Sequence, residues 1–370
     1  MLLEDGADVN MRLEGEWGGT ALVSAASSGH FEIVKYLVEI GADVNILLGE
    51  KEGIHDNALN MERSRPRDKA PCHGYAIGMA AWAPGTELLE KILDAGADVN
   101  QPLGSEFWPS VLAIKIELRE VDSVKFLVQQ ARADPDLPFK TGEYGNALEA
   151  ACCFGYSLDH VYELVEALLM GGADVNMPVK NGRFGSALSA AAWSEDGHRI
   201  VKLLIKAGAD VNMFLENRDF STAIALVAAM PVPSWEWGRR EMVTLLVEAG
   251  AELNPKGLVG KYGGALPAAA LFGREETVQY LINAGADINH RFEDISYATA
   301  LQAAQANLSE KDWEWVIMFH NRFVYRQRVV SLELKGDELE GASDEVELRS
   351  WFKRRKDRTA CLLKENGAIA

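Results

Sequence analysis

The chain has 370 residues, of which 48% are hydrophobic and 25% charged, and its formal net charge at pH 7 is -18. That apolar content suffices for a core and excludes a chain disordered throughout, while the acidic excess disfavours nucleic acid and anionic membrane as partners. The last eighty residues hold 13 Lys+Arg against 14 Asp+Glu, which leaves 24 against 41 upstream, so nearly all of the acidity lies on the first 290 residues.

Taken from the start, MLLEDGADVN lacks a basic segment followed by a long apolar run, so no signal peptide is expected, and no stretch approaches the length of a membrane span. The string Gly-Ala-Asp-Val-Asn at Gly6 then returns at Gly41, Gly96, Gly172 and Gly208, as GAELN at Gly250 and GADIN at Gly285, with a degraded copy, RADPD, at Arg132. Spacings of 35, 55, 36, 40, 36, 42 and 35 residues mark a stack of like units, each with an apolar face that only its neighbours can cover. One repetitive domain can therefore reach this length without a single large core.

Before each box stands an apolar triad at i, i+3, i+4: Val34, Leu37, Val38; Leu89, Ile92, Leu93; Val165, Leu168, Leu169; Val201, Leu204, Ile205; Val243, Leu246, Val247; Val278, Leu281, Ile282. The spacing puts each triad on one helical stripe, and the box Gly ends the helix by taking the left-handed conformation. We name this element helix B. Upstream lies a shorter helix A, read from TALVSAASSGH at Thr20, NALEAACCFGY at Asn146, SALSAAAW at Ser186, TAI at Thr222, GALPAAALFGR at Gly264 and TALQAAQA at Thr299. Thr20, Asn146, Ser186, Thr222 and Thr299 are its expected N-caps, and Asn146 with Glu149 and Thr299 with Gln302 have the spacing of a capping box.

Helix A, turn, helix B, box and a variable stretch back to helix A closely resemble the ankyrin repeat, over residues 1 to 305. The T-P-L-H-x-A start of that family stands here as T/S/N-A-L-x-A-A, and its His is absent from every unit. The Tyr/Phe-Gly-x-Ala-Leu flavour is similar to the long ankyrin arrays of filamentous fungi. The resemblance implies an all-α solenoid of seven to eight helix-turn-helix units with extended finger loops. Residues 1–10 would end a partial repeat, and the units would run 11–45, 46–100, 101–136, 137–176, 177–212, 213–254 and 255–289. The segment 290–370 would be a divergent terminal repeat with an insertion, with helices from Leu308 to Val330 and from Trp351 to Leu363 and an acidic connector from Lys335 to Glu345. The longest inserted stretch, Ile46 to Gly74, reads as an exposed loop, and an opening inside a repeat reads either as a piece of a longer protein or as an exposed apolar flank on residues 11–45.

Two sets of residues are candidates for contact with a partner. An aromatic row stands three positions before the Ala of helix A: His73, Trp108, Tyr144, Phe184, Phe220, Tyr262 and Tyr297, with Trp17 displaced by one. These rings could stack from unit to unit or line a partner groove, and stacking is the expected role. The resemblance further assigns the two positions after the Ala pair to the concave groove: Ser27 and Ser28, Trp82 and Ala83, Cys153 and Phe154, Trp193 and Ser194, Ala229 and Met230, Leu271 and Phe272. Large apolar side chains in such a groove would anchor a partner, unless fingers or the terminal segment cover them.

Other motifs carry less. Trp235-Glu236-Trp237 reads as a loop between helices A and B that packs its own turn, with partner binding as the rival. Lys353 to Lys356, KRRK, reads as basic residues late in a helix that satisfy its dipole, with nuclear import or an anionic contact as the rival. Cys72, Cys152, Cys153 and Cys361 form no CxxC pair, which suits a reducing intracellular compartment. No GxxxxGK[ST], HExxH or GxSxG occurs, Cys153 and His160 lack an orienting carboxylate, and the box Asp residues lack the acidic loop of a calcium site. The reading is thus a monomeric, intracellular, non-catalytic scaffold, cytoplasmic with possible access to the nucleus, binding a protein partner of basic character without cofactor or metal. Its rival is the recognition segment of a larger signalling NTPase whose catalytic domain lies outside this chain.

Overall fold

The computed structural model describes residues 6–12, 20–27, 30–46, 76–103, 109–139, 144–153, 158–179, 182, 184–194, 197–215, 220–230, 236–256, 260–292, 297–314, 316–317 and 345–369. These form helices and turns, with no strand among them. The chain divides into two compact units, Met1–Gly182 and Arg183–Ala370.

In the first unit the A helices α1 (Ala21–Ser27), α3 (Ala76–Ala81), α5 (Val111–Glu117) and α7 (Ala147–Cys153) alternate with the B helices α2 (Phe31–Glu39), α4 (Glu87–Asp94), α6 (Val121–Gln129) and α8 (Leu158–Met170). The second unit continues the alternation with α9 (Ala187–Trp193), α10 (His198–Lys206), α11 (Ala223–Ala229), α12 (Glu236–Glu248), α13 (Ala265–Leu271), α14 (Glu275–Asn283) and α15 (Ala300–Gln305). Short helical stretches at 310–314 and 316–317 and a long helix, Glu345–Glu365, follow. Within each unit A packs on the next A and B on the next B, as α1 on α3, α11 on α13, α6 on α8 and α10 on α12. This is the all-α repeat solenoid that the boxes imply.

The helix A caps form as the sequence requires: Thr20, Ser186, Thr222 and Thr299 side-chain oxygens accept from Val23, Ser189, Ala225 and Gln302 N–H groups, and Asn146 Oδ1 accepts from Glu149. Ser110 caps α5 in the same way, a position that the Ala-Leu pattern hides because Val111-Leu112 follows it. The two capping boxes close one residue early, on Gly145 N–H for Glu149 and on Ala298 N–H for Gln302.

The B triads split in a regular way. Their first two residues are buried, Val34, Leu89, Ile92, Val165, Leu168, Val201, Leu204, Leu246, Val278 and Leu281 completely, and the third is half-buried. After the triad the box Gly adopts φ between +89° and +98° from Gly6 to Gly285. At the end of α2, Gly41 N–H donates to Val38 O and Ala42 N–H to Leu37 O, the paired bonds of a Schellman turn. In the degraded box Arg132 takes φ +58°, a conformation that costs a side chain about 1–2 kcal/mol.

The box Asn then clips one unit to the next. Asn254 Nδ2 donates to Gly285 O (3.4 Å) and its Oδ1 accepts from Asp287 N–H (2.8 Å); Asn10, Asn100 and Asn212 repeat both bonds on the following box. In the degraded box Asp136 replaces this Asn and can only accept, which it does from Asp174 N–H. Burial pushes Asp136 above its ordinary carboxylate range, against the lowering effect of that bond. A last clip joins Asn289 to Gly367 O and Ile369 N–H, and Gly367 has φ +95°. Thus Gly367-Ala368-Ile369 occupies a box position at the end of the long helix.

A further regularity escapes the motif search. The apolar residue seven positions after the box start is buried in Leu103, Phe139, Val179, Leu215 and Phe292, and four of these N–H groups close the base of a finger by donating to Pro109, Gly145, Ser221 and Ala298 carbonyls. Its signal is an apolar residue at constant offset inside loops of variable sequence. The expected loop from Ile46 to Gly74 lies outside the described residues from position 47 on, as do most of the expected helix Leu308–Val330 and the acidic connector.

The long helix packs on α13, α14 and α15 and runs from Glu345 to Glu365, longer than the span Trp351 to Leu363 that its pattern suggested. Arg349 stacks over Trp313 at 4.5 Å, and Trp313 meets Phe352 edge-on at 5.4 Å. Lys356, 7% exposed, donates to Ala306 O, and burial pushes its ammonium down to about 8 although Asp312 and Asp357 hold it up. Below pH 8 the folded and unfolded chains both carry this proton, so the cost of burying it is whole; as pH rises towards 10 only the unfolded chain keeps the proton, and the cost is relieved. The second unit is therefore expected to gain about 2 kcal/mol between pH 7 and 9.5. Urea unfolding followed by Trp fluorescence checks this: Lys356→Met should abolish the slope, and an unchanged slope in that variant refutes the assignment.

Candidate functional site

Helix A and the turn after it position the described groove candidates, and the aromatic row stands just before helix A. Trp82 and Trp193 stand at the C-terminal ends of α3 and α9, and both are half-buried, beside the fully buried Ala80, Ala81 and Ala192. The Trp193 indole leans on Phe184 with ring centroids 5.4 Å apart, which fixes its orientation. Ala83, Cys153 and Ser194 are also half-buried. Phe154, Ser28, Trp108, His73 and Trp17 lie outside the described residues.

The other groove candidates are corrected by their burial. Met230 is 1% exposed, Leu271 0%, Phe272 1% and Ala229 0%, so none of them faces an open surface. The long helix packs on α13, which carries Leu271, and a carboxylate after α15 holds the ring beside Phe272. Asp312 Oδ1 accepts from Lys261 Nζ (2.6 Å) and Tyr262 Oη (2.5 Å), its Oδ2 accepts from Ser309, and Tyr262 in turn meets Phe272 edge-on at 5.6 Å. Burial alone would raise the Asp312 carboxyl, but the bonds from Lys261, Ser309 and Tyr262 outweigh it and hold the group below its usual range. Burial, with the Asp312 charge, pushes the Tyr297 phenol up. Met230 is tied from the other side, where Arg274 donates to its carbonyl.

The aromatic row proves structural in the second unit. Phe184, Phe220 and Tyr262 are 5–6% exposed, and Phe220 stacks on Tyr262 at 5.1 Å, one unit on the next. Phe184 and Tyr262 are thus buried rings, and Tyr144, half-buried, is the described member of the row in the first unit. Sequence periodicity carried no information on what lies over these rings.

A second polar node was not foreseen. Lys115 occupies the helix A position held by small Ala25, Ala80, Ala151 and Ala191 in other units, and it is fully buried. Its Nζ donates to Ala83 O (2.6 Å), Gly85 O (3.1 Å) and Glu120 Oε2 (2.8 Å), and the same Oε2 accepts from Gly85 N–H and Ser123 Oγ. Burial pushes the Lys115 ammonium below its ordinary value, against the hydrogen bond and charge of Glu120. The node staples the turn after α3 to the α5–α6 pair, a structural task.

Chemistry is sparse at these surfaces. Burial, with the Glu149 charge, drives the Cys152 thiol far from its reactive range, and His160 is exposed on α8. No group of three His, Cys, Asp or Glu that could hold a metal occurs among the described residues, and no helix among them is long and apolar enough to cross a membrane. Two motif readings change. Glu236 and Trp237 begin α12 instead of lying in a loop, with Trp235 outside the described residues. KRRK sits mid-helix rather than in a last turn, with Lys353 and Arg354 exposed but Lys356 buried, so the dipole account fails.

Comparison with known families bears on the repeat directly. The model described as ankyrin repeats (3 copies) matches residues 188–292, and that described as ankyrin repeats (many copies) matches residues 1–38. No curated protein matches the chain at a significant level. The boxes, the Schellman turns, the Asn clips and both family matches agree: the chain is an ankyrin repeat protein.

Proposed function

We propose that the chain is a non-catalytic scaffold that holds a protein partner against the ends of its A helices and its finger loops, with Trp82 in the first unit and Trp193 in the second as anchors. Ankyrin repeats serve protein–protein interaction, and the observation that carries the finer reading is the half-burial of these two indoles beside fully buried neighbours. An indole already held by packing, as Trp193 is by Phe184, loses little freedom on binding and offers a large contact area. The acidic surface favours a partner of basic character by steering its approach. On this reading residues 290–370 act as a terminal repeat whose B helix is the long helix; the clip from Asn289 to Gly367 supports that division.

Affinity purification of the tagged chain from its source cells, with mass spectrometry, identifies the partner. The double variant Trp82→Ala/Trp193→Ala should then bind it at least tenfold more weakly with an unchanged far-UV spectrum. Unaltered affinity in that variant would move the contact away from the A helices.

A further inference from the structure

Helices α12 and α14, the turn between α13 and α14, and the long helix Glu345–Glu365 border an open cleft lined in part by Arg240, Arg274, Arg355, Glu276, Thr277 and Tyr280. In a chain of net charge -18 this lining sets three guanidiniums against one carboxylate. Two of the three are positioned by other contacts. Arg274 is 6% exposed and donates to Met230 O, and Arg355 lies over the Trp351 ring at 5.0 Å. Arg240 on α12 is exposed and makes no ion pair among the described residues. Thr277 and Tyr280 also line the cleft.

We propose that this cleft binds a phosphate monoester dianion. A guanidinium presents its N–H donors as a planar fork that suits phosphate oxygens, and donors held in advance lose little freedom when the anion arrives. Charge decides between oxyanion classes. A monoester near -2 brings two charges to a lining that holds several cations, where a single carboxylate brings one. A carboxylate has two oxygens and is saturated by one fork, whereas three phosphate oxygens can engage three separate donors. The inference is independent of the Trp82 and Trp193 surface, so either can fail without the other.

Isothermal titration of the full chain tests it, with N-acetyl-phosphoserine amide as the side-chain ester, inorganic phosphate as the free ion and acetate as the carboxylate, all at equal ionic strength. Saturable binding of the ester is expected, at least tenfold weaker in Arg240→Gln, whose exposed side chain should leave the circular dichroism melt unchanged. Binding should also weaken between pH 7 and 5, as the ester takes its second proton near about pH 6. Absence of saturable ester binding, equal affinity in Arg240→Gln, binding of inorganic phosphate alone or equal affinity for acetate would each overturn the assignment.

Discussion

Glu120→Ala is expected to destabilise the first unit by about 3–5 kcal/mol, the cost of leaving a buried charge without its partner. Lys115 is 0% exposed, and without Glu120 its ammonium keeps only the carbonyls of Ala83 and Gly85. Loss of the carboxylate also removes an acceptor from Gly85 N–H and Ser123 Oγ, so the turn after α3 loses its tie to α6. The pH dependence gives the mechanism a signature. Glu120 is what holds the Lys115 ammonium up against burial, so its removal lowers the folded-state value further below that of the unfolded chain. The penalty is then whole at pH 6 and shrinks as pH rises and the folded chain releases the proton. Chemical denaturation at pH 6 and pH 9 should show the larger deficit at pH 6, and Lys115→Met in the Glu120→Ala background should recover part of it. A deficit below about 1 kcal/mol, the range of an exposed ion pair, would mean that the node is solvated.

This node marks where the sequence stops being legible. Helix B and its terminating Gly could be read directly, because each is a local demand repeated at a constant offset: a stripe at i, i+3, i+4 and a left-handed residue after it. The box Asn recurs as regularly, but its bonds to the next box emerged only in the structure. The caps at Thr20, Asn146, Ser186, Thr222 and Thr299 were legible as local demands of the same kind. Lys115 was not, since a lysine at a position otherwise given to Ala announces neither its burial nor a partner five residues away across a turn. Ser110 was concealed by the substitution of Val111 for the usual Ala. Phe272 packs on Tyr262, which is held from far along the chain. Asp312 lies 50 residues from Tyr262, and no period links them. Repeat logic predicts which face a residue occupies, but contacts that follow no period decide whether that face stays open.

Phe272 tests that distinction with the second large effect. If it were a groove anchor, Phe272→Ala would weaken partner capture and leave stability nearly intact. Its 1% exposure and edge contact with Tyr262 require the opposite: truncation removes a buried ring and leaves a cavity next to the Asp312 network, at a cost of about 3–5 kcal/mol. Relaxation around the cavity is limited, because Tyr262 is fixed both by its bond to Asp312 and by its stacking on Phe220. The loss should appear in the denaturation transition of the second unit and, by amide hydrogen exchange, as faster exchange in α13, in α11 beside it and in the long helix that packs on α13, while α1 to α6 keep their protection. Phe272→Leu, which retains most of the apolar volume, should cost less than half as much. A variant Phe272→Ala that melts like the parent yet loses its partner would return this ring to the binding surface, and with it the open groove that the repeat alone suggests.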